Sequence, residues 1–222
     1  MKHRSPAIAL VSVLTAVLTA ACGEVASPPP DEPGAIDDLE DGDALIQAHE
    51  GRIGYWYTEH DPSQGHMGPW PFAPTFGGAE DSQYSAAAYG GGFTEWGAKL
   101  GVFLQFPQGG ALDSYDASEF TGIRFDARSN VPIRVAVATT DALDTSVGGT
   151  CSPSTTVQCN DYFGTHLTVA PEWGSYEIPF DVLAQAGWGQ PTAFNAAHAV
   201  AIELQVDKML EFDFAVDNVR LY

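Results

Sequence analysis

From residue 36 onward, apolar and polar side chains alternate with a period of two over short runs separated by Gly, Pro, Asn and Asp. In GIRFDA, Ile123, Phe125 and Ala127 share one face and Arg124 and Asp126 the other; in IRVAVAT, Ile133, Val135 and Val137 oppose Arg134. In AIELQV, Ile202, Leu204 and Val206 oppose Glu203 and Gln205, and in GVFLQF, Val102, Leu104 and Phe106 oppose Phe103 and Gln105. The pattern predicts strands over 83–89, 99–106, 121–127, 132–139, 166–169, 175–180, 200–206 and 211–221. The opening segment adds two, about ten in all. Only DVLAQAG and AFNAAHA suit a turn or two of helix, and Pro62 to Gly78, rich in Gly and Pro, reads as a loop packed by Met67, Trp70, Phe72 and Phe76. Many short antiparallel strands with Gly and Pro turns predict an all-β fold, a jelly-roll β-sandwich, in one domain over residues 36–222.

The polar faces carry the first candidate chemistry. Arg134, Asp126, Glu203 and Gln205 offer bidentate donors and acceptors of the kind that meet sugar hydroxyls, and an aromatic such as Phe103 or Tyr57 covers a sugar's apolar face. The same alternation fits a solvated outer face with cross-strand ion pairs.

The stretch from Ile36 to Asp61 joins an acidic cluster to an apolar strand and an aromatic one. Oxygen ligands from Asp38, Glu40, Asp41 or Asp43, with Asp217 of the last strand, form a candidate structural calcium site that would staple the start of the domain to its end; we take Glu40, Asp43 and Asp217 as its metal set. The run also reads as a solvated acidic entry to the domain. In Tyr55-Trp56-Tyr57, alternation sends Trp56 to the opposite side from its neighbours, so the three rings do not form one platform.

Charge and cysteines narrow the setting. Residues 1–21 have the basic start, apolar run and small-residue end of an export signal, and Thr19-Ala20-Ala21-Cys22 resembles a bacterial lipobox, with Leu18 one place further from the cysteine than usual. Cys22 is therefore the expected lipidation site, and the Pro-rich residues 22–35 the tether of a protein exported to the bacterial cell envelope and anchored at the outer membrane or cell surface. Acidic residues number 29 against 9 basic ones, two of which, Lys2 and Arg4, lie in the leader, leaving a mature net charge of −22. A polyanion is repelled by such a chain, so nucleic acid is not an expected partner. With Cys22 lipidated, Cys151 and Cys159 remain for a disulfide in an oxidising compartment.

Enzymatic signatures are mostly absent. No G-x-S-x-G elbow or phosphate-cradling glycine loop occurs, and His49-Glu50 begins a zincin pattern that fails at Ile53. A glycoside hydrolase would need two carboxylates roughly 5 to 10 Å apart, and an acidic chain offers many pairs with no means of ranking them.

Set together, IDDLEDGD, the arginine of IRVAVATT, CSPSTTVQCNDYFGTHLTVAPEWGSYEIPFDVLAQAGWG and AIELQVD with FAVDNVRLY resemble bacterial β-jelly-roll domains related to the family-eleven carbohydrate-binding modules. Such domains occur on surface lipoproteins, notably of myxobacterial type, and beside plant-polysaccharide hydrolases. The resemblance implies two facing sheets, a concave face for β-glucan-like chains and often a calcium near the chain ends. It matches Arg134 to the strand arginine of the binding face, Asp161 to the acid after the second cysteine, and Trp188 to the aromatic of the GWG turn, where a core residue holding that turn is the favoured reading. The expected function is non-catalytic binding of polysaccharide. The alternatives are a surface lipoprotein that contacts another protein and a hydrolase with an unplaced carboxylate pair.

Overall fold

The computed structural model describes residues 32–222, so the leader, Cys22 and most of the tether lie outside the described residues. Twelve strands follow one another: β1 (Ala35–Asp37), β2 (Trp56–His60), β3 (His66–Gly68), β4 (Thr75–Phe76), β5 (Tyr84–Gly91), β6 (Ala98–Phe103), β7 (Gly122–Ser129), β8 (Ile133–Thr139), β9 (Phe163–Leu167), β10 (Gly174–Pro179), β11 (Ala199–Val206) and β12 (Phe212–Leu221). They form two antiparallel sheets. The first runs β10-β7-β12-β5-β3, with β1 also on β12 and β4 on β5; the second runs β2-β6-β11-β8-β9. This is the jelly-roll sandwich that the alternation predicts.

The apolar halves of the alternating strands make the core. Ile123, Phe125 and Ala127 of β7 and Phe214 and Val216 of β12 pack with Leu100 and Val102 of β6, Ile133, Val135 and Val137 of β8 and Ile202, Leu204 and Val206 of β11. Each large side chain withdrawn from water in this way contributes about 1.5–3 kcal/mol, so a one-residue slip of any of these strands would be heavily disfavoured.

Departures from the expected elements have local causes. The apolar stretch after Asp43 forms only single bridges, Leu45 to Tyr55 and His49 to Arg52. Asp41 and Asp43 accept the backbone N–H groups of Asp43 and Leu45, and Gly42 and Gly51 take positive φ, so the backbone turns there instead of extending. The Pro62–Gly78 segment is not wholly loop: β3 and β4 give β5 a short partner each. AFNAAHA and DVLAQAG yield three-residue 3-10 turns, Ala196–His198 and Phe180–Val182. Gly34 and Ala35, at the end of the expected tether, already pair with β12.

Trp56 points inward, as the alternation requires. Its indole Nε1 donates to Asp37 Oδ2 at 2.7 Å, tying β2 of one sheet to β1 of the other, and burial pushes the Asp37 carboxyl up to about 7.

Candidate functional site

The outer face of the second sheet forms the floor of an open groove of about 640 Å³. On β2 and β6 the residues left outward by alternation are Tyr57, Glu59, Lys99, Gly101 and Phe103. The Tyr57 phenol ring lies over Gly101, its cross-strand partner, because only glycine leaves that space, and it stacks on Phe103 with ring centroids 4.3 Å apart. On β11 the outward residues are Glu203 and Gln205; on β8 Arg134 lies over Gly164 of β9, where any side chain would meet the guanidinium at 2.7 Å.

The charged groups divide into a closed set and an open one. Lys99 Nζ bridges Glu203 Oε1 at 2.9 Å and Glu59 Oε2 at 3.0 Å, the Tyr57 hydroxyl donates to Glu203 at 2.6 Å, and the ammonium lies within 6.0 Å of the Tyr57, Trp96 and Tyr162 ring centres. Burial pulls the Lys99 ammonium down, but Glu203 and Glu59 outweigh it and hold its pKa above the ordinary lysine value; burial, reinforced by Glu203, raises Tyr57 and Tyr162. Arg134, by contrast, donates Nη2 to the Tyr162 carbonyl at 2.6 Å and has no ion pair among the described residues.

Loops raise the walls. One wall carries Leu112, Leu143, Val147, Asn160 and Tyr162, drawn together by the Cys151–Cys159 disulfide and by the bonds from Thr145 N–H to Cys151 O and Asn160 N–H to Ala142 O. Trp96 and Trp188 stand on two further loops, and Trp188 is 52% exposed. It is a groove residue, not the core residue favoured for the GWG turn.

Five of the sequence candidates therefore meet in one groove: Arg134, Glu203, Gln205, Phe103 and Tyr57. Two do not reach it. Asp126 lies on β7 of the other sheet, where its carboxylate accepts from Asn218 Nδ2 at 2.9 Å and lines a separate pocket of about 190 Å³. Asp161 is buried, and its two oxygens are taken by four backbone N–H groups of residues 186–189. Lys99, Trp96 and Tyr162 were missed. A signal existed for the tryptophans: both Trp96-Gly97 and Trp188-Gly189 place a large ring beside a residue suited to a tight loop.

The candidate cation ligands separate. Glu40 and Asp217 both reach the 78–84 turn: Glu40 Oε1 accepts from Ser82 Oγ and the N–H groups of Gln83 and Tyr84, and Asp217 Oδ2 from Ala79 N–H at 2.8 Å. Burial raises Asp217 to about 6. Asp43 is exposed and bonded to its own turn, and no three carboxylate, histidine or cysteine side chains converge on a metal position among the described residues.

Comparison with solved structures places this architecture. It is similar to the family 11 carbohydrate-binding module of the cellulosomal cellulase Lic26A-Cel5E of Clostridium thermocellum, with a TM-score of 0.52 and 18% identity over 81% of this chain and 94% of that one. The folds correspond. A family 11 module from the same organism, solved with a β-1,3-1,4-mixed-linked tetrasaccharide, gives 0.51 and 17% over 81% and 95%, and the family 30 module of its cellulase Cel9D-Cel44B gives 0.51 and 10% over 82% and 94%. No family model matches the sequence, and no curated protein matches it.

Proposed function

We propose that the protein binds a β-glucan-like polysaccharide in this groove without cleaving it, as an exported lipoprotein tethered through Cys22. The observation that carries the reading is the groove itself. Its volume of about 640 Å³ sits within the roughly 300–1,000 Å³ of ligand sites, it is open, and it combines aromatic surfaces with a guanidinium that has no ion pair among the described residues. Tyr57, Phe103, Trp96 and Trp188 supply faces for pyranose rings, and Arg134 and Gln205 supply donors to hydroxyls. The likeness to modules from polysaccharide-degrading systems, one solved with a mixed-linkage oligosaccharide, supports the same reading. Glu59 and Glu203, two carboxylates of the groove, share one ammonium, an arrangement that favours a structural role for both over acid–base work.

Gel retardation tests this. Mixed-linkage glucan in a native gel should slow the wild type, and Arg134→Ala and Phe103→Ala should each migrate faster than it. If no glucan, xylan or mannan slows the wild type, the proposal fails. Release of reducing sugar on prolonged incubation would instead support hydrolysis. Cys22→Ser should abolish lipid labelling in the native host, and persistence of the label would remove the anchor from the proposal.

Calcium enters on the same footing. Among the described residues a buried oxygen of Glu40 has no hydrogen-bond partner, and Glu40 and Asp217 both reach the 78–84 turn with oxygens of the kind a hard cation takes. We propose that calcium binds at this turn through Glu40 and Asp217, without the Asp43 carboxylate that the sequence suggested. Its role there is structural, joining the segment after β1 to β12.

A further inference from the structure

Two buried carboxylates stand at opposite edges of the groove sheet, and neither is in an ion pair among the described residues. Asp61 directly follows β2. Its Oδ2 accepts the N–H groups of Glu95, Trp96 and Gly97 at 2.9, 2.8 and 2.9 Å, and its Oδ1 accepts from Ser63. Asp161 lies two residues before β9. Its Oδ1 accepts the N–H of Ala186 at 2.9 Å and its Oδ2 those of Gly187, Trp188 and Gly189 at 2.8, 3.0 and 3.1 Å. The two loops so gathered are the ones that carry Trp96 and Trp188, and both tryptophans line the groove.

The arrangement answers a physical need. Trp188 is half exposed, so packing of its ring does not fix it; its backbone must be fixed instead. Ionised carboxylates accept N–H groups with roughly twice the strength of neutral acceptors, and one buried carboxylate that gathers successive amides sets the path of the whole loop. At Asp61 burial opposes the charge, yet the Ser63 hydroxyl and the amides of Gly97 and Trp96 outweigh it and hold the carboxyl well below the usual range. The close approach also accounts for Gly189, where a Cβ would collide with the Asp161 side chain.

We propose that Asp61 and Asp161 are positioning residues that lock Trp96 and Trp188 in place as the two aromatic rims of the groove, prepared for a polysaccharide chain before it arrives. The inference rests on the polysaccharide reading for its consequence and on the carboxylate–loop contacts for its cause. A rim ordered in advance spares the ligand the entropy of ordering it. Loss of that order should weaken binding by about three- to ten-fold, the cost of immobilising one large side chain.

The test is a cycle on the full chain, with mixed-linkage glucan as the probe and amide NMR as a readout independent of any sugar. Asp161→Asn should weaken binding by that factor in the wild-type background and have no further effect in Trp188→Ala. It should broaden or shift the amides of residues 187–189 while those of β8 and β11 stay in place. Asp61→Asn should do the same for residues 95–97 and in Trp96→Ala. Asp161→Glu, which keeps the charge but moves it by one methylene, serves if the asparagine variant does not fold. Equal losses in both backgrounds, or unchanged affinity, would overturn the proposal. If the wild type binds no glycan, the polysaccharide reading fails alone, and the positioning role is judged on the loop amides: order retained in Asp161→Asn overturns it, order lost upholds it.

Discussion

Replacing Lys99 by Met separates the scaffolding of the groove from its recognition chemistry. The ammonium, 14% exposed, is shared by Glu203, 6% exposed, and Glu59, 52% exposed. Removing one partner of a buried pair costs about 3–5 kcal/mol, because the surviving charge stays desolvated. Here the loss is tempered: the Tyr57 hydroxyl still donates to Glu203 at 2.6 Å, and Glu59 is half in water. The expected cost is therefore about 2–3 kcal/mol. At about 2–4 °C per kcal/mol for a domain of this size, Tm should fall by about 4–12 °C. Methionine is close to lysine in length and volume, so the effect reports chiefly the loss of the charge. Glu203→Gln on top of Lys99→Met removes the stranded carboxylate and should restore stability to within about 1 kcal/mol of the wild type. Urea unfolding followed by circular dichroism measures all three proteins. A single-variant loss below about 0.5 kcal/mol, the level of an exposed pair, would refute the reasoning, as would a double variant no more stable than the single.

Three further outcomes follow from the structure. Calcium at about 5 mM, above the roughly 10⁻⁴–10⁻³ M dissociation constants of extracellular sites, should raise Tm, and Glu40→Gln with Asp217→Asn should remove the rise; an unchanged wild-type Tm would dismiss the ion. Cys151→Ser with Cys159→Ser should cost about 2–3 kcal/mol, because the bridge closes a loop of eight-residue separation, and should loosen the groove wall enough to weaken glucan retardation; unfolding curves and affinity gels check the two parts separately. Alkaline pH should destabilise the fold through the groove floor. Lys99 is raised, so its contribution is complete below the unfolded lysine value of about 10.4 and is lost only as pH rises through the higher folded one. Tyr57 and Tyr162 are also raised, so above the unfolded tyrosine value of about 10 the native state holds protons the unfolded chain has lost, and stability again declines with pH. Tm measured from pH 8 to 11.5 should fall less steeply above pH 10 in Tyr57→Phe; identical slopes would exclude Tyr57 from the effect.

What the sequence conveyed and what it withheld divide along one physical line, which the two strand arginines make plain. Alternation assigns Arg124 and Arg134 identically, each on the polar side of a strand whose other side is core, and both assignments agree with the structure. A period of two distinguishes inside from outside, but each sheet of a sandwich has its own outside. Arg124 stands beside Asp126 on the first sheet and is answered there by Glu177, its cross-strand partner on β10; Arg134 stands on the second with Glu203 and Gln205 and has no ion pair among the described residues. Grouping Asp126 with Arg134 was thus an error of pairing, since strand order depends on contacts far apart in sequence. The same limit hid Trp96 and the way both rims are held. Trp96 and Trp188 sit outside the strands, and their carboxylate anchors lie 35 and 27 positions away. Asp161, the acid after the second cysteine, holds the amides of residues 186–189 and does not line the groove. A carboxylate that gathers three or four successive N–H groups has little hydrogen-bonding capacity left for a ligand, so on the proposed reading the buried acids shape the groove and the half-buried cation and rings meet the polysaccharide.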